Sequence, residues 1–217
     1  MKRVLFIAIL SIFFLSSCQA INSLQPVATA APGGTVLFSD EFDDNANHWG
    51  TSNSATGAVS FVYEGLDIKV DQPNSLLWSV AGKKYADVKI DVDGVLLSGP
   101  SNDVFGAVCR FSDANHFYGF LISHDGYYGI FKMENGSLIL ADQDQGLKYS
   151  DVILQGGTVN HITATCQGDK LSLAVNGQLL SIVQDDSYAS GQIGLIAGTY
   201  ENGGSELFFD HLQVSQP

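Results

Sequence analysis

An all-β fold, with two antiparallel sheets stacked as a jelly-roll sandwich, is what this sequence predicts, and three observations predict it. Val, Ile, Phe, Tyr and Thr recur in short bursts that alternate with polar residues. Gly is abundant, at 23 of 217 residues, and the Ala-Leu-Glu-Lys runs of helical proteins are missing. The dipeptides Asp125-Gly126, Asn135-Gly136 and Asn176-Gly177 fall between bursts, and such pairs accept the positive φ that a two-residue hairpin demands.

Taken in order, strands are expected at 59–63, 66–70, 86–92, 103–111, 116–123, 127–133, 137–142, 161–167, 170–176, 178–184, 192–200 and 206–214. Trp49 and Trp78 are expected at sheet edges, Trp49 beside an amino-terminal strand. About a dozen short strands in one domain fit a sandwich, and the absence of a repeat of roughly 20 to 50 residues argues against a propeller or solenoid.

The amino terminus carries a different signal. Lys2 and Arg3 precede an apolar run from Val4 to Leu15, and Leu15-Ser16-Ser17-Cys18 resembles a bacterial lipobox. The run is shorter than the roughly 20 residues a spanning helix needs. The expectation is a signal peptide over 1–17, cleavage before Cys18, and diacylglycerol on its thiol. Multiple acyl chains hold firmly, because each buried methylene contributes about 0.8 kcal/mol. Residues 18–34 contain no charge, two prolines and a Gly pair, and read as a flexible tether. Residues 35–217 form the one expected domain, placing the protein in the bacterial cell envelope, lipid-anchored and outside the cytoplasm, with the membrane touched through the anchor alone.

The formal charge of −13, from 23 acids against 10 scattered bases, excludes a phosphate-tracking surface and hence nucleic acid as a partner. Besides Cys18 there are Cys109 and Cys166, both in expected strands; in an exported domain they are expected to form a disulfide.

The opening FSDEFDD with His48-Trp49, the stretch CRFSDANHFYGFLISHDGYYGIFK, the hairpin LSLAVNGQLL and the close GQIGLIAGTY with FFDHLQV together resemble concanavalin A-like lectin/glucanase jelly rolls. They are most similar to laminin-G-like and 3-keto-disaccharide-hydrolase-like domains. The resemblance implies two curved sheets, a concave face that binds an oligosaccharide or polysaccharide, and a structural Ca2+ held by Glu41, the Gly65 carbonyl and Asp210, with Asp40 a neighbour. Glycoside hydrolases of this fold carry Glu-x-Asp-x-Glu on one strand face. Here the strand reads Lys89-Ile90-Asp91-Val92-Asp93. A lysine cannot act as the attacking carboxylate that retaining hydrolysis needs, so this route to catalysis is lost, and no other catalytic motif is present.

A binding role has better material, since sugars dock on aromatic faces while polar side chains take their hydroxyls. Arg110, Asn115, Tyr118, Phe120, Tyr127 and Tyr128 cluster around the central hairpins, with Arg110 and Tyr118 the foremost contacts. Aromatics in a sandwich strand are ordinarily core, which applies above all to Phe117, Phe120 and Phe131. The function expected is non-catalytic carbohydrate binding at the cell surface, against two alternatives, a glycosidase-like or keto-disaccharide-hydrolase-like enzyme and a structural or adhesion module.

Overall fold

A computed structural model describes residues 34–141 and 146–217; the expected signal peptide, Cys18 and the tether up to residue 33 lie outside the described residues. All regular structure among them is β: β1 (Val36–Asp40), β2 (Ser52–Asn53), β3 (Gly57–Val62), β4 (Gly65–Val70), β5 (Leu76–Tyr85), β6 (Val88–Ser98), β7 (Val104–Asp113) and β8 (His116–Ser123) come first. They are followed by β9 (Tyr127–Glu134), β10 (Ser137–Leu140), β11 (Lys148–Tyr149), β12 (Asn160–Gln167), β13 (Lys170–Val175), β14 (Gln178–Gln184), β15 (Gly191–Gly198) and β16 (Ser205–Ser215). One sheet has nine strands in the order β14-β13-β12-β6-β16-β4-β3-β2, with β1 also on β16. The other has seven, β10-β9-β8-β7-β15-β5, with β11 on β9. All the ladders are antiparallel.

The turn chemistry is local. Asn135-Gly136 and Asn176-Gly177 each close a two-residue hairpin with both residues at positive φ. Asp125-Gly126 does not: the β8–β9 connection has three residues and only Gly126 is at positive φ. Between β3 and β4 the same two-residue turn is made by Tyr63 and Glu64, at φ 50° and 58°, with no glycine to announce it.

The main core lies between the sheets and takes Ile68, Ile90, Phe105, Tyr118, Phe120, Ile130, Ile162, Leu171 and Phe209 among others. Trp49 belongs to this core rather than to an edge; it packs on Phe42 at 5.5 Å, and its indole N–H donates to Asp40 at 2.8 Å. Asp40 also accepts from Asn47 Nδ2 and the Phe42 N–H, so the Asp40 to Trp49 segment is organised around one carboxylate. Trp78 does sit on an edge strand, β5.

Cys109 of β7 and Cys166 of β12 form a disulfide between the two sheets, with Cα atoms 6.8 Å apart. The bridge spans 57 residues of sequence, for which the loop-entropy relation gives about 4 kcal/mol.

Strand β5 was not legible from alternation, and the reason is the second core. Val104, Val108, Phe111, Phe117, Leu121, Phe131, Met133 and Ile196 form a separate buried cluster, with Leu76, Trp78, Val80, Leu140 and Leu147 against it. Phe117 and Leu121 alternate with Tyr118, Phe120 and Ile122 of the main core, so this cluster lies on the opposite face of the seven-stranded sheet. With both faces apolar, the sheet's strands read as continuous apolar runs, such as Leu76-Leu77-Trp78.

Candidate functional site

The outer face of the seven-stranded sheet is a trough. A cavity of about 310 Å³ is lined by Leu76 of β5 and by Leu138 of β10, the two edge strands. Five strand spacings would part these edges by roughly 24 Å on a flat sheet, so the sheet curves around the cavity. A second cavity of about 230 Å³ shares Leu121, Leu138 and Tyr200 with the first and adds Gly129, Phe131, Leu140, Gly146 and Leu147. Gly129 keeps it open, because a Cβ there would come within 2.7 Å of Leu147 Cδ2. On the same face an aromatic row, Trp78 with Phe111 and Phe117 and then Phe131, packs at centroid spacings of 5.4–6.1 Å, and Phe131 lines the smaller cavity.

One end of the trough is hydroxylated. Tyr127 and Tyr149 pair across β9 and β11, edge to face at 5.6 Å, and are 42% and 56% exposed. Alternation puts Tyr127 on the same face as Gly129 and Tyr149 on the same face as Leu147, both of which line the smaller cavity. Tyr200, 40% exposed, closes this end; its N–H donates to Asp103 at 3.0 Å, and burial, then the charges of Asp125 and Asp103, raise its phenol pKa. Asp125 is fixed by Ser123, whose hydroxyl donates to it at 2.5 Å.

The expected ligand contacts divide. Tyr127 is exposed at this mouth. Tyr128, its neighbour, points into the main core and its hydroxyl donates to the Leu180 carbonyl at 3.2 Å. Asn115 is exposed but stands in the β7–β8 turn, at the far end of β8, about 25 Å of strand from the mouth.

Arg110 and Tyr118 correct the expectation. Alternation places Val108 and Arg110 on one face, but the β7–β8 register shifts between Cys109 and Asp113, and Arg110 itself has φ 52°. This bulge sends the guanidinium under the end of the sandwich, where it is 2% exposed. It donates to the carbonyls of Ala86, Tyr188 and Gly168 at 2.8–3.0 Å and pairs with Asp87 at 3.4 Å. Tyr118 and Phe120 do share a face, and that face is the sandwich interior. The Tyr118 hydroxyl donates to Asp185 and accepts from the Tyr188 N–H, and burial and Asp185 raise its pKa. With their polar atoms spent on three connections, these two residues are joints of the fold rather than ligand contacts. Tyr149 and Tyr200, missed in the sequence, lie outside the central hairpins; the lone Tyr after Lys148 gave no pattern to follow.

The outer face of the nine-stranded sheet carries the charged strand. Asp91 accepts from Thr163 Oγ1 at 2.7 Å and pairs with Lys89 at 2.9 Å. Burial alone would raise its pKa, but hydrogen bonds from His161, Lys89 and Thr163 outweigh it and hold the group at about 2. His161 bridges to Asp93 through Nδ1 at 2.7 Å, and the hydrogen bond with Asp91 is the largest cause of its raised pKa. Asp91 is therefore ionised near neutrality and is not the raised-pKa acid that glycoside cleavage requires.

Glu41, Asp210 and His211 bring donor atoms within 4.8 Å of one another at the end of this face. Gly65 lies one position past Leu66, the register partner of Phe209, and its missing side chain makes room for the Phe208 ring. The carboxylates of Glu41 and Asp210 suit a hard cation, and the His211 ring lies within 3.3–3.6 Å of Glu41, Asp93 and Asp210.

No protein-family description and no curated protein matches the chain. Solved structures do. Carbohydrate-binding module CBM66 from Bacillus subtilis superposes with a TM-score of 0.61 at 18% identity, over 75% of this chain and 92% of that one. A Bacillus subtilis protein of unknown function with a galectin-like fold gives 0.59 at 11%, over 85% and 97%. A Bacillus licheniformis β-glucanase gives 0.60 at 11%, over 86% of this chain and 100% of its own. At these identities the likeness establishes the fold alone: the described chain is a concanavalin A-like jelly-roll sandwich.

Proposed function

We propose that the domain is a non-catalytic binder of neutral oligosaccharide, held at the bacterial envelope by a lipid on Cys18. The observation that carries this reading is the exposed Tyr127–Tyr149 pair at the mouth of a trough, with Tyr200 and Asp125 beside it. Apolar sugar faces stack on such rings and hydroxyls pair with phenols and carboxylates. Solved structures of this fold that are themselves a carbohydrate-binding module and a glucanase support the substrate class. The Lys89, Asp91 and His161 arrangement supports binding without hydrolysis. A glycan array followed by titration tests it: Tyr127→Ala and Tyr149→Ala each weaken binding at least tenfold, and Asp91→Asn releases no sugar and changes no affinity. Absence of any glycan ligand, or affinity untouched by both Tyr substitutions, refutes the reading. Release from membranes by Cys18→Ser tests the anchor.

In the same reading Glu41 and Asp210 hold a structural calcium. Millimolar calcium then raises the melting temperature relative to chelator, and Asp210→Asn removes that difference; equal melting curves for the wild type eliminate the site.

A further inference from the structure

The tyrosine mouth accounts for one end of the trough and leaves its length unexplained. Apart from Tyr200, the described residues that line the cavity of about 230 Å³ are Leu, Phe and Gly. A saccharide inside it would surrender the hydrogen bonds of its hydroxyls with nothing in return, a loss of about 1–3 kcal/mol for each. Water has no better footing, since a buried water needs two or more polar partners. Among the described residues, the larger cavity has its polar side chains in Asn74, Ser75 and Thr199 at the β5 side and in Tyr200, and it shares Leu121 and Leu138 with the smaller. Together the two reach the volume of a small-molecule site, about 300–1,000 Å³. Access exists at the rim, where Leu138 is 47% exposed.

We infer that the trough takes the alkyl chain of an amphiphile whose neutral, hydroxyl-rich head rests on Tyr127, Tyr149 and Tyr200, that is, a glycolipid or lipid-linked saccharide. The inference rests on the glycan reading of the mouth and adds the ligand's other half. Two features select this occupant. The apolar trough runs without interruption into the hydroxylated mouth through Gly129, Leu147 and Tyr200, which line one cavity. The acidic balance of −13, with Asp103 and Asp125 beside Tyr200, repels a phosphate or sulfate head and admits a neutral one.

The test uses the full chain, wild type and Cys18→Ser, with the neutral fluorophore N-phenyl-1-naphthylamine as the trough probe. It is displaced by n-dodecyl β-maltoside below its micelle concentration, by maltose, or by dodecyl phosphate. Uptake by both chains is expected, with dodecyl maltoside displacing the probe at concentrations at least tenfold below those of maltose and of dodecyl phosphate. Leu138→Glu, at an exposed rim position, and Gly129→Val, which fills the cavity, each weaken uptake at least tenfold; Leu138→Glu keeps the wild-type melting curve and guards against misfolding. Tyr149→Ala weakens displacement by dodecyl maltoside at least tenfold. No uptake by either chain overturns the inference. So does uptake confined to Cys18→Ser, which would make the chain's own acyl group the occupant, or a dimer that Leu138→Glu dissociates, which would make it a second copy. Maltose equal to dodecyl maltoside overturns the trough while the glycan reading stands; dodecyl phosphate equal to dodecyl maltoside overturns the neutral head and the glycan reading with it.

Discussion

The two sheets turn opposite chemistry outward. On β6 of the nine-stranded sheet the outward row is Lys89, Asp91 and Asp93, interlocked with His161 and Thr163 of β12. On β7 and β8 of the seven-stranded sheet the outward row is Val104, Val108, Phe117 and Leu121, and these are at most 4% exposed. Period-two alternation is obeyed on both, so alternation alone does not tell a solvated face from a lined trough. What tells them apart is whether the residues between the core positions are polar. A polar outer row needs only water; an apolar one needs cover, and small residues such as Gly119 and Gly129 let Phe131 and Leu147 lie close against the sheet.

The largest loss is expected from neither face but from what clamps the sheets together. Cys109→Ser with Cys166→Ser should lower stability by about 4 kcal/mol in denaturant titration under oxidising conditions. Arg110→Ala should cost about 3 kcal/mol, because it removes a buried guanidinium together with its hydrogen bonds to three carbonyls at the end of the sandwich. Arg110→Lys should recover little of it, since a single ammonium cannot reach the partners a fork does. A fully stable Arg110→Ala with reduced glycan affinity would return Arg110 to the ligand site.

Next in size is the contrast itself. Phe117→Ala, on the trough face of its sheet, should cost about 3 kcal/mol, as truncation of a packed core aromatic does. Thr165→Ala, on the outer face of β12, should stay within about 0.5 kcal/mol. Chemical denaturation of the two variants decides it: a Phe117→Ala cost near that of Thr165→Ala would mean that the trough wall is not packed and that the two faces are not different in kind.

Much of this fold could be read from the chain because its signals are local. In the nine-stranded sheet β12 and β13 alternate cleanly, and Asn176-Gly177 marks the turn that follows them. The disulfide was legible because the expected signal peptide implies export, and two cysteines remain after Cys18. The site was less legible, for two physical reasons. One extra residue on β7 relative to β15, between Val108 and Phe111, reverses the direction of the Arg110 side chain that strict alternation sends outward. Tyr149 and Tyr200 join Tyr127 only through the pairing of β11 with β9 and the return of the chain after β15, which are long-range events with no mark in the local sequence.

Asp67 gives a smaller, pH-dependent effect on the polar side. It is 6% exposed, its Oδ1 has no hydrogen-bond partner, and burial followed by the charge of Glu206 raises its pKa to about 6. A carboxyl whose folded pKa lies above its unfolded value binds more protons when folded, so stability falls as pH rises from about 4 to about 6 and stays lower above that. Asp67→Asn should therefore stabilise the protein by roughly 1–2 kcal/mol at pH 7.5, discounted from the full shift for solvent screening, and by little at pH 4. Thermal melts of both proteins across that range check the sign; a stabilisation that grows toward acid would show that Asp67 is ionised and paired.

The smallest stability effect is expected where the largest functional one lies. Tyr149 is 56% exposed, packs edge to face on Tyr127 and over Gly126, and stands on a two-residue strand at the margin of its sheet. Its removal forfeits one exposed ring contact, worth about 0.5 kcal/mol, and leaves the trough floor untouched. Tyr149→Ala should thus melt within one or two degrees of wild type while losing most of its affinity for a saccharide head. The pairing of these two outcomes matters more than either alone. A residue that held the fold would lose both together, as Phe117→Ala should; a residue placed for a ligand loses only the second. Calorimetric titration and a melting curve on one preparation of Tyr149→Ala separate the cases, and a destabilisation of several kcal/mol would make the tyrosine mouth an extension of the packed trough rather than a place for sugar.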